Sequence, residues 1–226
     1  MPPVDADRPI RVLVVDDDFL VREAIKAMLQ PHPDLEVVGT AADGMDAVAQ
    51  ARATRPDVVL MDVRMPGMDG VESTRALLGQ VDTQVVAMTS LTTSETVWRM
   101  IDAGAYGYVL KDDAPSELAG AVRTVARGDA FLSPRHTREL LERSASDTTA
   151  DTRRSAAELF DRLTDRERDA ARLVAAGASD GEIARTLHVA LSTAKAHVQQ
   201  AREKLGVRNR TQIAVIVERA GQTPAT

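Results

Sequence analysis

The sequence predicts an α/β fold with a doubly wound, five-stranded parallel sheet, followed by a small all-α domain. Over the first 130 residues, short apolar runs alternate with amphipathic stretches. The apolar runs are continuous rather than alternating, as expected of strands that are covered on both faces. Beyond residue 160, helical patterns with capping residues follow one another without intervening strands. The two halves therefore belong to different structural classes.

Strands and helices are predicted to alternate in the first half. The five buried strands are expected at Val12–Val15, Leu35–Val38, Val58–Met61, Val85–Met88 and Tyr108–Leu110. The helices between and after them are expected at about Leu20–Leu29, Met45–Arg52, Val71–Leu78, Ser94–Ala103 and Ser116–Arg127. This alternation favours a parallel sheet with helices on both faces.

The C-terminal segment, Leu163 to Ala220, is predicted to hold four helices. Three of them open with a capping-box pattern, at Thr164…Glu167, Ser179…Glu182 and Asn209…Gln212. The remaining helix runs from about Leu191 to Leu205. Its apolar residues recur at spacings of three and four and predict one buried stripe. That stripe consists of Leu191, Ala194, Val198, Ala201 and Leu205.

The boundary between the halves is predicted from composition. Residues 144–157 are small and polar and favour a linker, and Arg135–Arg143 is a candidate short helix ahead of it. The predicted organisation is a tail at 1–9, an α/β domain at 10–128, a linker with a possible short helix at 129–158, a helical domain at 159–221 and a tail at 222–226.

Composition excludes several classes of protein. There are no cysteines, so disulfides, thiol catalysis and Cys-based zinc sites are excluded, and the four histidines lack ligand-like spacing. The N-terminus has no apolar segment typical of a signal peptide, and no apolar run is long enough to span a bilayer. We therefore expect a soluble, cytoplasmic protein.

The net charge of −6 is unevenly distributed. Residues 1–130 hold 12 Lys and Arg against 21 Asp and Glu, whereas residues 131–226 hold 16 against 13. The first part is therefore at −9 and the second at +3. An acidic half would repel DNA, so any DNA contact is expected in the C-terminal module alone.

Polar side chains follow the ends of four predicted strands. Asp16 and Asp17 end the first strand, Asp62 the third, Thr89 the fourth and Lys111 the fifth. Ligands of open parallel sheets bind at the carboxyl ends of the strands. Carboxylates placed together there need a cation, and Mg²⁺ suits oxygen ligands. Asp62 could then attack phosphorus as a nucleophile, with Lys111 and Mg²⁺ neutralising the developing charge and Thr89 donating a hydrogen bond to the phosphoryl oxygens.

Residues 10–128 resemble a response-regulator receiver domain, which has the flavodoxin-like fold. The resemblance rests on Asp16-Asp17, Met61-Asp62-Val63-Arg64-Met65-Pro66, Met88-Thr89-Ser90 and Tyr108-Val109-Leu110-Lys111. It implies that Asp62 is the phosphoacceptor and that Asp16, Asp17, Asp62 and the backbone carbonyl of Arg64 bind Mg²⁺. It also implies that Thr89, Tyr108 and Lys111 sense the phosphoryl group. Asp18 fits a helix cap better than a metal ligand. For Tyr108, a half-buried sheet-edge tyrosine is the alternative.

The C-terminal module resembles a LuxR/NarL-type helix-turn-helix. The similar segments are Leu163-Thr164-Asp165-Arg166-Glu167, Gly177-Ala178-Ser179, Glu182-Ile183-Ala184, Thr193-Ala194-Lys195-Ala196-His197-Val198 and Lys204-Leu205-Gly206-Val207. The module departs from the family pattern at Asp180, Ala190, Ala194 and Ala201. Asp180 adds negative charge, Ala190 removes a helix cap, and the two alanines thin the core.

The helix Leu191–Leu205 is predicted to read DNA. Opposite its apolar stripe lie small and amide side chains, and basic side chains flank them. Gln suits adenine and the Ala methyl suits thymine, whereas Lys suits phosphate. The expected DNA-contacting residues are Thr193, Lys195, Ala196, His197, Gln199, Gln200 and Lys204. An ordinary amphipathic surface helix is the alternative interpretation.

Together the two resemblances imply a phosphorylation-controlled transcription regulator of a two-component phosphorelay. It would receive a phosphoryl group on Asp62 from a sensor histidine kinase, dimerise on activation and bind double-stranded DNA, without turning over a substrate as an enzyme does. Two alternatives stay open. Asp16-x-Asp18 after the first strand also resembles a haloacid-dehalogenase-type phosphatase, and the helical module could serve protein interaction instead of DNA binding.

Overall fold

The computed structural model describes residues 8–90, 94–132 and 150–222. The chain divides into two compact units, residues 1–136 and 137–226. The predicted helix at Arg135–Arg143 lies outside the described residues, as do most of both predicted tails. No helix of the described residues is long and apolar enough to cross a membrane.

The first unit is an α/β sandwich in which strands and helices alternate, and this confirms the predicted fold class. Its strands are β1 (Ile10–Val15), β2 (Leu35–Ala41), β3 (Val58–Asp62), β4 (Gln84–Thr89), β5 (Gly107–Leu110) and β6 (Phe131–Leu132). Its helices are α1 (Phe19–Leu29), α2 (Gly44–Thr54), α3 (Gly70–Leu78), α4 (Ser94–Ala103) and α5 (Ala114–Ala126).

The strands pair in the order β2-β1-β3-β4-β5-β6, and all of them are parallel. The order reverses direction beside β1, so a crevice opens at the carboxyl ends of β1 and β3. The strand β6 was not among the five predicted. It has only two residues, which pair with Gly107 and Tyr108 of β5, and so short a run gives no periodic signal in the sequence.

The strands are apolar throughout because both faces of the sheet are covered. Val12 and Val14 of β1 share one core with residues of α1 and α5, such as Leu29 and Leu118. Leu13 and Val15 point to the opposite face, because side chains alternate along a strand, and both are fully buried. The sheet is thus a rigid support for the loops at its carboxyl edge.

The second unit is all-helical and has five helices in the described residues rather than four. They are α6 (Ala150–Asp161), α7 (Asp165–Ala175), α8 (Asp180–Leu187), α9 (Leu191–Leu205) and α10 (Arg210–Arg219). The prediction of a linker through residue 158 is therefore wrong from residue 150 onward. Helix α6 buries Ala156 and Phe160 in the core of the module, and the Phe160 ring stacks against Arg172 at 5.3 Å.

Small side chains form much of the contact between α9 and this core. Ala194 and Ala201 are fully buried, and Leu205 is 4% exposed. The predicted stripe is wrong at its first residue, because Leu191 is 50% exposed. It is the first residue of the helix and lies beyond the edge of the core.

The helix caps follow the sequence patterns closely. Complete capping boxes form at Thr164 with Glu167 and at Ser179 with Glu182. The third pattern forms only in part, because the Asn209 side chain accepts from Gln212 N whereas the Gln212 side chain accepts from Arg208 N. Helix α9 has no such cap.

Ala190 occupies the N-cap position of α9 with extended backbone angles (φ −66°, ψ 152°) and without a side-chain hydrogen bond. We predict that Ala190→Ser raises the free energy of unfolding of residues 150–226 by about 1 kcal/mol, because the hydroxyl would accept from a free backbone N–H group. Urea denaturation measures the change. Ser192→Ala is the matched control and should cost much less, because Ser192 lies inside the helix. The reverse order of effects would mean that Ser192 is the cap.

Candidate functional site

Two carboxylates, those of Asp16 and Asp17, follow the carboxyl end of β1 and differ in their exposure to solvent. Asp16 is fully buried, and its Oδ1 accepts from Asp18 N at 3.1 Å. Asp17 is exposed. The Asp18 side chain accepts from Leu20 N at 2.8 Å and caps α1, which confirms its predicted role. The turn Asp16-Asp17-Asp18 thus ends a strand, supplies acidic groups and starts a helix.

Asp62 ends β3, next to β1 in the sheet. Its side chain is nearly buried, and its Oδ2 accepts from the backbone N–H of Arg64 at 3.2 Å. Burial raises the pKa of Asp62, and this effect outweighs the opposing hydrogen bond and positive charge of Lys111. The Arg64 side chain is exposed, so its part in the site is through its backbone.

Lys111, which follows β5, connects the two buried carboxylates. Its Nζ lies 2.6 Å from Asp16 Oδ2 and 2.9 Å from Asp62 Oδ1. Burial by itself would lower the pKa of Lys111, but the hydrogen bonds to Asp16 and Asp62 outweigh it, and the pKa is raised. The ammonium is therefore held charged between two acids at the edge of the sheet.

The acidic cluster fits a hard divalent cation. Asp16, Asp17 and Asp62 each offer one carboxylate oxygen, and these three atoms lie within 4.8 Å of one another. One ammonium faces three carboxylates, so the site has an excess of negative charge and several free oxygen lone pairs. Oxygen-only donor sets of this kind suit Mg²⁺ or Ca²⁺.

Thr89 and Tyr108 form the other side of the site. Both are 2% exposed, on the neighbouring strands β4 and β5. Their side chains are hydrogen-bonded to each other, and burial raises the pKa of Tyr108 to about 12 even though the hydrogen bond to Thr89 opposes it. Tyr108 is therefore inward-facing and in direct contact with a residue at the end of β4.

Gly70 is a site-supporting residue that the sequence prediction did not single out. A Cβ atom at this position would lie 2.1 Å from the backbone oxygen of Asp62 and 2.8 Å from Val63 Cα. The Gly70 N–H also donates to Val63 O at 3.0 Å. Helix α3 therefore begins in direct contact with the backbone of Asp62, which only glycine permits.

Asp69 connects the loop after Asp62 to α4. One of its oxygens accepts from Glu72 N and caps α3, and the other lies 3.0 Å from an Arg99 guanidinium nitrogen. The loop Met65–Asp69 is thus fixed at its end by a cap and an ion pair. The sequence can predict that Asp69 caps a helix, but it cannot predict the ion pair with Arg99, which is 30 positions away.

Helices α8 and α9 form a helix-turn-helix whose turn contains His188 in the left-handed conformation (φ 54°). Most of the predicted DNA-contacting residues lie on one accessible face of α9. Those that are exposed are Thr193, Lys195, Ala196, Gln199, Gln200 and Lys204, whereas His197 is half-buried.

Two charged residues of this module have partners that the sequence did not indicate. The Lys204 ammonium lies 2.7 Å from the buried Glu167 carboxylate. Asp180 lies 3.4 Å from Arg210, whose guanidinium also donates to the Ala178 carbonyl. The expected excess of negative charge at Asp180 is therefore offset inside the module.

An acidic, lysine-bridged cluster on a doubly wound sheet, in a chain that also carries a helix-turn-helix, defines a signal-controlled regulator of transcription. Comparison with known families agrees. Residues 12–123 match the model of the response regulator receiver domain, and residues 161–217 match that of the bacterial regulatory proteins of the luxR family. The chain belongs to the response regulators of two-component systems that carry a LuxR-type DNA-binding domain.

Similar proteins span nearly the whole chain. The uncharacterized transcriptional regulatory protein YxjL of Bacillus subtilis (strain 168) is 37% identical over 213 residues, 94% of this chain and 96% of that protein. The response regulator protein VraR of Staphylococcus aureus is 37% identical over 207 residues, 91% of this chain and 95% of that protein. A crystal structure of the response regulator ChrA of a heme-sensing two-component system is 30% identical, covers 95% of this chain and 98% of that chain, and gives a TM-score of 0.52.

We predict that Gly70→Ala slows the phosphorylation of the receiver domain by small phosphodonors, because its methyl group must displace the backbone of Asp62. It should also lower the free energy of unfolding by about 1–3 kcal/mol, the usual cost of overpacking. Gly120→Ala is the matched control, because a Cβ there meets nothing within 4 Å. It should be neutral or stabilising. Equal phosphorylation rates for both variants would contradict a positioning role for Gly70.

Proposed function

We propose that Asp62 accepts a phosphoryl group from a sensor histidine kinase and that this modification controls the binding of DNA by α9. The main support is the bridge of Lys111 between Asp16 and Asp62 at the carboxyl edge of the sheet. Of these two carboxylates, the Asp16 side chain is 0% exposed, whereas the Asp62 side chain is 5% exposed, and Asp62 is the last residue of β3. A haloacid-dehalogenase-type phosphatase would instead have its nucleophile at the end of β1. That function also gives no role to the helix-turn-helix domain.

In the proposed reaction, an Asp62 oxygen attacks the phosphorus of a phosphorylated histidine. An O–P bond forms, the P–N bond breaks, and the imidazole leaves with the bonding electron pair and takes up a proton. Lys111 is placed to exchange an acidic partner for a phosphoryl oxygen. Asp16, Asp17, Asp62 and the Arg64 carbonyl would hold Mg²⁺, which supplies positive charge beside the phosphoryl oxygens when bound.

The response to the phosphoryl group is proposed to pass through Thr89 and Tyr108. A hydroxyl has a single O–H donor, so its donation to a phosphoryl oxygen leaves it only as an acceptor for its other partners. Because Thr89 is hydrogen-bonded to Tyr108, a new partner for Thr89 changes the environment of the tyrosine as well. Phosphorylation of Asp62 would thus alter the hydrogen bonding of both Thr89 and Tyr108.

An exposed apolar surface beside the acidic pocket supports a protein as phosphodonor. Phe19 and Leu20, in the first turn of α1, are 61% and 73% exposed. Large apolar side chains that remain exposed next to a reactive site are typical of a docking surface. We also propose that the protein acts in the cytoplasm, because bacterial DNA, its proposed ligand, lies there.

We also propose domain limits that use the structure. The receiver domain spans 10–128, and the DNA-binding unit begins at residue 150 rather than 159, because α6 contributes Ala156 and Phe160 to its core. Activation is proposed to favour a homodimer, which would present two copies of α9 to half-sites about one helical turn apart, or a multiple of it.

The first test concerns the acceptor. Asp62→Asn should abolish acid-labile phosphorylation by acetyl phosphate and Mg²⁺, because an amide is a poor nucleophile toward phosphorus. Phosphate incorporation into the full chain measures the effect. Asp18→Asn is the matched control at the same edge of the sheet, since Asn caps a helix as well as Asp does. Undiminished labelling of the Asp62 variant, or loss of labelling in both variants, would refute the assignment.

The second test concerns base reading by α9. Gln200 is exposed in the middle of the helix, so Gln200→Ala should cost about 1–3 kcal/mol at one base pair and leave non-specific binding nearly unchanged. Binding titrations compare a duplex selected by the activated protein with a scrambled duplex. The control is Lys195→Gln, which should weaken both duplexes alike and reduce the salt slope by about one ion. Equal losses on both duplexes for Gln200→Ala would show that this residue does not read bases.

A further inference from the structure

Lys204 has a different environment from the other lysine of α9. Lys195 is exposed near the start of the helix. Lys204, in the last turn, extends its ammonium to α7, where Nζ lies 2.7 Å from Glu167 Oε2. The side chain of Glu167 is 4% exposed, while that of Lys204 is 42% exposed. The contact thus joins one buried and one half-exposed charge.

The Glu167 oxygen that meets Lys204 already has a structural role. Oε2 also accepts from Thr164 N at 2.8 Å, and the Thr164 hydroxyl accepts from Glu167 N, which completes the capping box of α7. Burial by itself would raise the pKa of Glu167, but the hydrogen bonds from Lys204 and Thr164 outweigh it, and the pKa is lowered. One ionised oxygen therefore ties the start of α7 to the end of α9.

The start of α9 has neither a side-chain cap nor a buried first residue. Its N-cap residue, Ala190, makes no side-chain hydrogen bond, and Leu191 is half exposed. Its buried residues are the alanines at 194 and 201, which are 0% exposed, and Leu205, which is 4% exposed. A helix held by small side chains depends more on its polar contacts for its position.

We propose that Lys204 is a positioning residue of the DNA-reading helix and not a phosphate contact. Its ion pair with Glu167 fixes the C-terminal end of α9 against α7, and thereby sets the angle at which Gln199 and Gln200 meet the base edges. The proposal revises the sequence-based assignment of Lys204 to DNA, and it rests on the proposed reading of DNA by α9.

The two roles of Lys204 predict opposite effects for Glu167→Gln. Gln is the other side chain of the capping box, so the start of α7 keeps its cap. If Lys204 positions α9, loss of the carboxylate disorients the helix, and specific affinity falls. If Lys204 contacts phosphate, loss of a competing carboxylate frees the ammonium, and affinity for every duplex rises together with the salt slope.

The experiment uses the full chain activated with beryllofluoride and Mg²⁺. Its probes are a duplex selected by this protein from a randomised library and a scrambled duplex, each titrated at several salt concentrations. Glu167→Gln and Lys204→Met should each weaken the selected duplex by about tenfold, with little change on the scrambled one or in the salt slope. The double variant should lose no more than either single variant, because both remove the same contact.

Lys195→Met is the matched control and should weaken both duplexes alike and lower the salt slope by about one ion. Circular dichroism melting checks that each variant is folded at the temperature of the titration. If Glu167→Gln is not folded there, Lys204→Met tests the proposal by itself. Unchanged or increased affinity of Glu167→Gln, or a lower salt slope for Lys204→Met, would overturn the proposal. If Gln200→Ala also loses no base discrimination, the proposed DNA-reading role of α9 is wrong. If Gln200→Ala loses base discrimination as expected, only the proposed positioning role of Lys204 is wrong.

Discussion

The Lys111 bridge between Asp16 and Asp62 is the interaction on which the receiver site depends. It exists because the carboxyl ends of β1 and β3 are neighbours in the sheet and β5 ends on the same edge. Two buried carboxylates repel each other, and a buried charge without a partner is costly. The ammonium relieves that cost and holds both carboxylates at the carboxyl edge of the sheet. A site held together by charge in this way is sensitive to any added charge, which is the property that a phosphoryl switch requires.

Basic side chains pair with buried or helix-capping acids in both units, but with different consequences. In the receiver domain, the lysine lies among acidic groups that can exchange partners with an incoming anion. In the helical unit, Lys204 and Arg210 satisfy acids at the starts of helices and so hold the module together. A basic residue on a DNA-binding helix is therefore not automatically a phosphate contact. For Lys204, the contact with Glu167 supports the positioning role proposed above.

Close packing around small residues supports both units. Gly70 allows α3 to begin against the Asp62 backbone, and Ala194 and Ala201 allow α9 to lie close to its neighbours. Small side chains shorten the distance between elements but provide few contacts of their own. The geometry then depends on hydrogen bonds and ion pairs, such as those of Asp69 with Arg99 and of Glu167 with Lys204. These polar contacts connect the loop after Asp62 to α4, and α7 to α9.

The sequence by itself determined the five main strands, the α/β and all-α classes, the strand-end residues and the capped helix starts. Those features follow from local patterns: continuous apolar runs, polar residues at their ends, and capping residues one turn apart. Only the tertiary structure decided that residues 150–158 are helical, that Leu191 is exposed, and that Lys204 pairs with Glu167. Helix α6 looks like a linker because it is polar and buries little more than Ala156 and Phe160. The pairings of Asp69 and Lys204 join residues 30 and 37 positions apart, and no local pattern encodes a contact that only the packing of other elements creates.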